Sequence, residues 1–478
     1  MKYVSILSSF LVSSLAAAQP SNGGAPQPLA APVQPSPPAE PPQPVPPADP
    51  ALVVAPPVVA APLTVVAWPV VPSQDPAGAL EPKTSGFKDG FILQATDGSS
   101  KLIIGGISQF DARFFVNDDN NVQTDQFLIR SLRFDLRGTV YDHFDFRFMP
   151  DFAGSKLLVQ DAYVDVRYTD VLKIRFGKFK VPFGIERLQS EGQTIFAERG
   201  LPNQISPNRD LGVELFGDVG KGTLAYQFGV FNGVADGSIN DGDATDDKEL
   251  AARVFVRPFA ATGPKFLENL GVGAAATFGD KQANLTQIDV PSWKTSGQNT
   301  IFLFRAGTTL ADTVVADGRH DRAAVQGYYF YSRLGLIADY VRSAQEVVLN
   351  GDHDRVSSDA WEAVAQVLLT GDEATYNSVT PKHPLDPKTG EIGAVDVKAR
   401  IGEIRTVNGS VFEKYVDPTR YARRAWSGGV GVDWWANRSF RALVDLERTW
   451  FTGGGKTGTG GADRIDETSI IGRVQLVF

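Results

Sequence analysis

From Ser100 onward, apolar and polar residues alternate with a period of two in short stretches, broken by clusters of Gly, Asp and Asn. Leu102, Ile104, Gly106, Ser108, Phe110, Ala112 and Phe114 share one face of the first stretch, with Gln109, Asp111 and Arg113 on the other. Leu132, Phe134, Leu136 and Val140 oppose Arg133, Asp135, Arg137 and Thr139, and Phe144, Phe146 and Phe148 oppose Asp145, Arg147 and Asp151. Two further strands follow near 161–168 and 172–176, the latter setting Leu172, Ile174 and Phe176 against Lys173 and Arg175. Successive side chains of a strand point to opposite faces, so each stretch predicts a strand with one apolar and one wet face. Eleven more are expected near 210–218, 222–232, 248–259, 269–280, 323–332, 333–343, 361–371, 393–401, 427–436, 438–451 and 466–478. That makes sixteen. A run at Ile301–Phe304 is set aside as too short.

An even number of alternating strands, rich in aromatic residues on the apolar face, predicts an all-β, sixteen-stranded antiparallel transmembrane barrel rather than a soluble sandwich. The last strand runs Ile470, Gly472, Val474, Leu476, Phe478 on one phase and must pair with the first, because an open edge in lipid leaves backbone groups unsatisfied. No apolar run of about 18 residues is present, so no membrane helix is expected.

Upstream of the barrel the pattern is different. Residues 1–18 carry Lys2, an apolar stretch from Val4 to Leu15 and a terminal Ala16-Ala17-Ala18, as a cleavable signal peptide does. Twenty of the 31 prolines lie between Gln19 and Pro82, so 19–85 reads as a disordered, extended periplasmic linker ahead of a porin domain at 86–478. Its Val53–Val71 patch leaves room for cell-wall contact through residues 19–82. The expected location is the outer membrane of a Gram-negative-type bacterium.

The stretch Arg175-Phe176-Gly177-Lys178-Phe179-Lys180-Val181-Pro182-Phe183-Gly184-Ile185-Glu186, followed by Arg209-Asp210-Leu211-Gly212-Val213-Glu214-Leu215-Phe216-Gly217, resembles the phosphate-selective porin O and P family. So do Gly229–Gly233, Leu368–Glu373 and Val432–Asn437. The resemblance implies a sixteen-stranded barrel, a homotrimer, a lumen carrying an arginine ladder, and infolded loops that form an anion-binding constriction.

Charge qualifies that expectation. Setting aside the signal peptide's lysine and the linker's four acids leaves 45 bases and 51 acids in residues 83–478, a balance of −6. Any preference for anions therefore depends on where the bases sit. Alternation and loop position nominate Arg133, Arg137, Arg147, Lys173, Arg175, Lys178, Lys180, Arg187, Arg199 and Arg209 as anion-binding, pore-lining residues. The long 182–209 connection is expected to fold into the barrel and narrow it. Lys178 and Lys180 share the phase of lipid-facing Ile174 and Phe176, so either a bulge at Gly177 turns them inward or they emerge at the rim.

Other chemistry is thin. There is no cysteine, no GxSxG, no HExxH and no phosphate-cradling loop, so no catalytic residue, metal or cofactor is expected and the chain reads as a non-enzyme. His143, His320, His353 and His383 read as surface or interface residues, and the acidic 236–249 stretch as a solvated loop rather than a calcium site. Nothing points to nucleic acid. The leading expectation is passive diffusion of small anions, phosphate or polyphosphate foremost. A non-selective or cation-preferring porin, or a barrel that anchors a cell-wall-binding arm, stands as the alternative.

Overall fold

The computed structural model describes residues 84–87, 90–116, 123–155, 157–220, 222–242, 245–407, 409–455 and 462–478. The expectations for 1–18 and for 19–83 fall outside them. Thr84 and Ser85 lie in a short hairpin, Thr84–Phe87 paired with Phe91–Gln94, whose second strand also pairs with Lys101–Ile104.

Sixteen strands form the wall: β1 Lys101–Val116, β2 Gln126–Val140, β3 Phe144–Asp151, β4 Leu158–Thr169, β5 Leu172–Lys180, β6 Arg209–Val219, β7 Leu224–Phe231 and β8 Glu249–Val256, then β9 Leu270–Gln282, β10 Val315–Tyr331, β11 Leu334–Leu349, β12 Asp352–Leu368, β13 Ala394–Thr406, β14 Ala422–Trp435, β15 Phe440–Gly453 and β16 Glu467–Val477. Each pairs antiparallel with the next, and β16 closes on β1 from Thr468↔Val116 to Val477↔Ile107. Phe478 completes the seam through two backbone bonds with Gly106, at 2.8 and 3.0 Å. All sixteen expected strands are present. Thr300–Leu303, overlapping the set-aside run, pairs with Ser292–Lys294 as a separate hairpin outside the wall sheet.

The two faces of the wall differ as the alternation requires. Phe110, Phe114, Val164, Phe176, Val272, Val325 and Val444 are exposed outward, whereas Gln109, Asp111 and Arg113 are fully buried inward. The side chains that would be a protein core elsewhere are on the lipid side here.

One phase switch matters for function. In β1–β2, Gln109 pairs with Ser131 but Phe110 pairs with Ile129, so Arg130 is an extra residue on β2. Phe127 and Ile129 point outward on odd numbers, and Leu132 and Phe134 on even ones. The bulge turns Arg130 inward although simple alternation from Leu132 would send it to lipid.

The mouth that carries the chain's β16 end is closed mainly by short turns; the opposite mouth carries long connections. The exceptions are the 257–269 connection, with a 3-10 turn at Lys265–Leu267, and the 369–393 segment, which leaves β12 at the turn mouth. His320, expected at a surface, is fully buried: its ring lies 3.2 Å from the Ser343 hydroxyl and 3.4 Å from Asp236. Asp236 is buried too, where Arg322 also reaches it, so the start of the acidic loop is fastened to the wall rather than solvated.

Candidate functional site

The connection from β5 to β6 crosses the barrel. It leaves Lys180, makes one helical turn at Ile185–Leu188 (α1) and two 3-10 turns at Glu191–Gln193 and Leu201–Ile205, and returns at Arg209. Its far side is bonded to strands on the opposite wall. Lys398 donates to Ile195 O, Arg400 to Glu198 O and Arg441 to Thr194 O, each at 2.7 Å. The Ala197 amide donates to Asp445 at 2.7 Å, and Gln475 donates to Gly192 O at 2.9 Å. Ile185, Phe196 and Ile205 are fully buried against this framework.

Glu198 is the main anchor. Its carboxylate receives Arg130 through two bonds of 2.7 and 3.0 Å, Arg113 at 2.5 Å and Arg473 at 3.2 Å. Glu191 receives Arg199 at 2.7 Å and has Arg130 and Arg133 within 3.6 and 3.7 Å. Burial pushes both carboxyls up. The guanidiniums outweigh it and hold each well below the usual carboxylate range, Arg130 first for Glu198 and Arg199 first for Glu191. Arg130 was not among the nominated residues, and the only sequence signal for it is the change of outward phase between Ile129 and Leu132.

The 283–314 connection supplies a second inner piece. Its hairpin lays Trp293 on Phe302 with ring centroids 4.3 Å apart, and Phe302 packs on Phe412 of the short helix Gly409–Tyr415 (α2). Ser296 donates to Glu447 at 2.7 Å and accepts from Arg400 at 2.6 Å. The Lys294 amide reaches Gln204 of the first loop at 3.0 Å.

From the turn mouth, the 369–393 segment reaches up to the same loop. Between them lies a cavity of about 910 Å³ whose lining includes Arg137, Arg147, Lys382 and Arg438 with Asp135 and Glu373.

Eight of the ten nominated bases have a carboxylate within ion-pair distance. Arg133 meets Asp151 at 2.7 Å and Arg137 meets Asp135 at 2.8 Å. Arg147 is shared between Asp135 at 2.7 Å and Asp161 at 3.4 Å. Arg175 holds Asp165 through two bonds of 2.6 and 2.8 Å and lies 3.9 Å over the Tyr163 ring. Lys173 is 3.7 Å from Asp218, Lys178 pairs with Asp241, Arg199 with Glu191, and Arg209 with Asp161 at 2.8 Å.

Lys180 and Arg187 differ. Among the described residues neither has a carboxylate partner; Lys180 donates to Gln189 O at 2.5 Å and Leu188 O at 3.4 Å, and Arg187 donates to Asn203 O. Burial and the neighbouring Arg199 pull Arg187 down to about 9. Of the two alternatives for Lys178 and Lys180, the bulge at Gly177 is absent: Gly177 pairs with Tyr163 and Gly212 in unbroken register. It takes a φ of +127°, which glycine tolerates, and Lys180 reaches the inner loop.

The comparisons agree with this architecture. OmpT of Vibrio cholerae, expressed in the outer membrane, is 13% identical with a TM-score of 0.51, over 80% of this chain and 98% of that one. The outer membrane channel DcaP of Acinetobacter baumannii is 12% identical with a TM-score of 0.50, over 83% of this chain and 100% of that one. No curated protein sequence matches the chain. The family described as phosphate-selective porin O and P matches residues 103–448. The chain is an outer-membrane β-barrel channel and belongs to the phosphate-selective porin O and P family.

Proposed function

We propose that the channel passes small anions by diffusion, phosphate and polyphosphate foremost, along the seam where the β5–β6 loop meets its own strands, and that it works as a homotrimer. The observation that carries the reading is the pair Lys180 and Arg187, cations held by carbonyls and lacking a carboxylate partner among the described residues. Most other nominated bases are offset by acids, so this seam has the positive surplus that anion preference needs. Lys and Arg at such a point bind an anion weakly enough for it to leave as well as enter. The basic lining of the 910 Å³ cavity continues the path toward the turn mouth. The family's description supports the solute class.

Full-length protein in a planar bilayer under a salt gradient tests this. The sign of the reversal potential reports the permeant charge. Anion selectivity and a chloride current reduced by added phosphate are expected. A cation-selective potential would favour the rival reading, which rests on the paired state of the other eight bases. Chloride selectivity that phosphate does not block would leave an anion porin without the phosphate preference.

A further inference from the structure

The outer surface of the long strands changes character from row to row toward the long-loop mouth. The register of β11–β15 sets Tyr340, Trp361, Glu403, Trp426 and Trp450 in one row. Trp361 and Trp426 pack edge to face with centroids 5.5 Å apart. Such a girdle marks where hydrocarbon gives way to headgroups. Further along β14 on the same face, Trp434 packs on Phe440 toward the turn mouth. The separation from Trp426 is about 27 Å along a strand at ~3.4 Å per residue, or about 21 Å of height at ~40° tilt, close to an outer-membrane apolar band.

One row beyond the girdle, Arg342, Asp359, Arg405 and Arg424 stand side by side on β11, β12, β13 and β14. The arginine side chains are 50%, 52% and 40% exposed and the aspartate 9%. Asp359 lies 3.6 Å from Arg342 and 3.5 Å from Arg405, too far to accept a short hydrogen bond from either. Arg424 has Glu403 at 2.6 Å and lies 5.1 Å over the Trp426 ring. Arg405 and Arg424 are direct cross-strand partners. Like charges in that relation repel, and the three arginines outnumber the two carboxylates beside them, Asp359 and Glu403, so one positive charge at headgroup height is left for an outside anion.

We propose that Arg342, Arg405 and Arg424 bind the phosphate of a lipid headgroup in the leaflet that surrounds the long-loop mouth. The guanidinium forks take the phosphate oxygens, and the acyl chains lie below, along the aromatic row and Val430. The site is on the outside of the wall and is independent of solute passage through the lumen.

The test compares full-length protein with R342Q/R405Q/R424Q in phosphatidylcholine vesicles doped with lipid A, or with the same lipid stripped of its phosphates. Lipid carried through re-purification is measured by mass spectrometry. We expect the phosphorylated lipid to be retained and the stripped lipid not, with retention falling about tenfold in the variant, as for the loss of three solvent-exposed ionic contacts. Unchanged bilayer conductance of the variant would show that it folds and that lumen function stands apart. Equal retention of both lipids, or of the lipid by both proteins, would overturn the proposal. So would complete competition by millimolar inorganic phosphate, the mark of a free-phosphate site, or a change of oligomeric mass in the variant, the mark of a subunit contact.

Discussion

The Tyr376 hydroxyl donates to the Ile185 carbonyl at 2.6 Å, and Gln189 donates back to the Tyr376 carbonyl at 2.7 Å. Tyr376 comes from the turn mouth and Ile185 from the long-loop mouth, so two connections that enter the barrel from opposite ends are joined inside it. Tyr376 also stacks on Tyr328 of the wall, centroids 5.1 Å apart. The join fixes the floor of the β5–β6 loop. Tyr376→Phe, which keeps the stacking and loses one hydrogen bond of roughly 1 kcal/mol, is expected to raise single-channel noise with little change in mean conductance. Tyr376→Ala, which loses both, is expected to raise the conductance itself; bilayer recordings of the two variants check the order.

The seam cations should outrank the paired ones. Lys180→Gln removes a charge that, among the described residues, has no carboxylate at ion-pair distance, and is expected to move the reversal potential toward cations and to weaken phosphate block several-fold. Arg175→Ala should do less through direct anion contact, since Arg175 is committed to Asp165 and to the Tyr163 ring. It leaves Asp165 unpaired, so its residual effect is a general loss of anion current. Equal phosphate block in the two variants would remove Lys180 from the site.

Much of this was legible in the sequence because alternation in a barrel wall reports directly which face meets lipid. β10–β14 were read too short at their long-loop ends for the same reason. There the outward positions include Arg319, Glu346, Arg355, Arg405 and Arg424 rather than apolar residues. Arg130 was missed because a single extra residue inverts the phase within one strand, and its one local sign is the shift of the apolar positions from Phe127 and Ile129 to Leu132 and Phe134. The pairing of the lumen bases was invisible for a different reason. It depends on which acids the sheet register and the infolded loops bring opposite them, as with Glu198, reached by arginines from β1, β2 and β16.

The pH response follows from Glu191 and Glu198. Their carboxyls are held below their ordinary value, so the stability they give the loop is fully present above that value. It is lost only as pH falls through the depressed values. The seating of the loop, read as heat resistance in detergent, is therefore expected to be flat from pH 8 to about 4, the ordinary glutamate range, with loosening confined to more acid solution. A transition centred near neutral pH would show that some other group governs the loop.

Glu198→Gln separates charge from shape. It leaves Arg113, Arg130 and Arg473 with one carboxylate fewer and a weaker acceptor in the same place. Removing one partner of a buried ion pair costs roughly 3 kcal/mol, so the loop should detach more readily and heat resistance in detergent should fall. The uncovered guanidiniums should at the same time push selectivity further toward anions.

Gly200 makes the steric counterpart to that test. A Cβ placed there would lie 1.5 Å from the Glu362 carboxylate on β12, an overlap the side chain must leave its position to relieve. Glu362 is buried, with Arg400 at 3.9 Å, and Arg400 also holds the loop through Glu198 O and the wall through Glu447. Displacing Glu362 therefore strains the contact that seats the loop on β13, although no lumen charge is removed. Gly200→Ala is expected to alter conductance while leaving the sign of selectivity unchanged, whereas Lys180→Gln should shift selectivity with little change in size-exclusion of larger solutes. Liposome swelling with neutral sugars of graded size distinguishes them: a raised cut-off in Gly200→Ala and an unchanged one in Lys180→Gln is the result that assigns narrowing to the seating of the loop and charge choice to its seam.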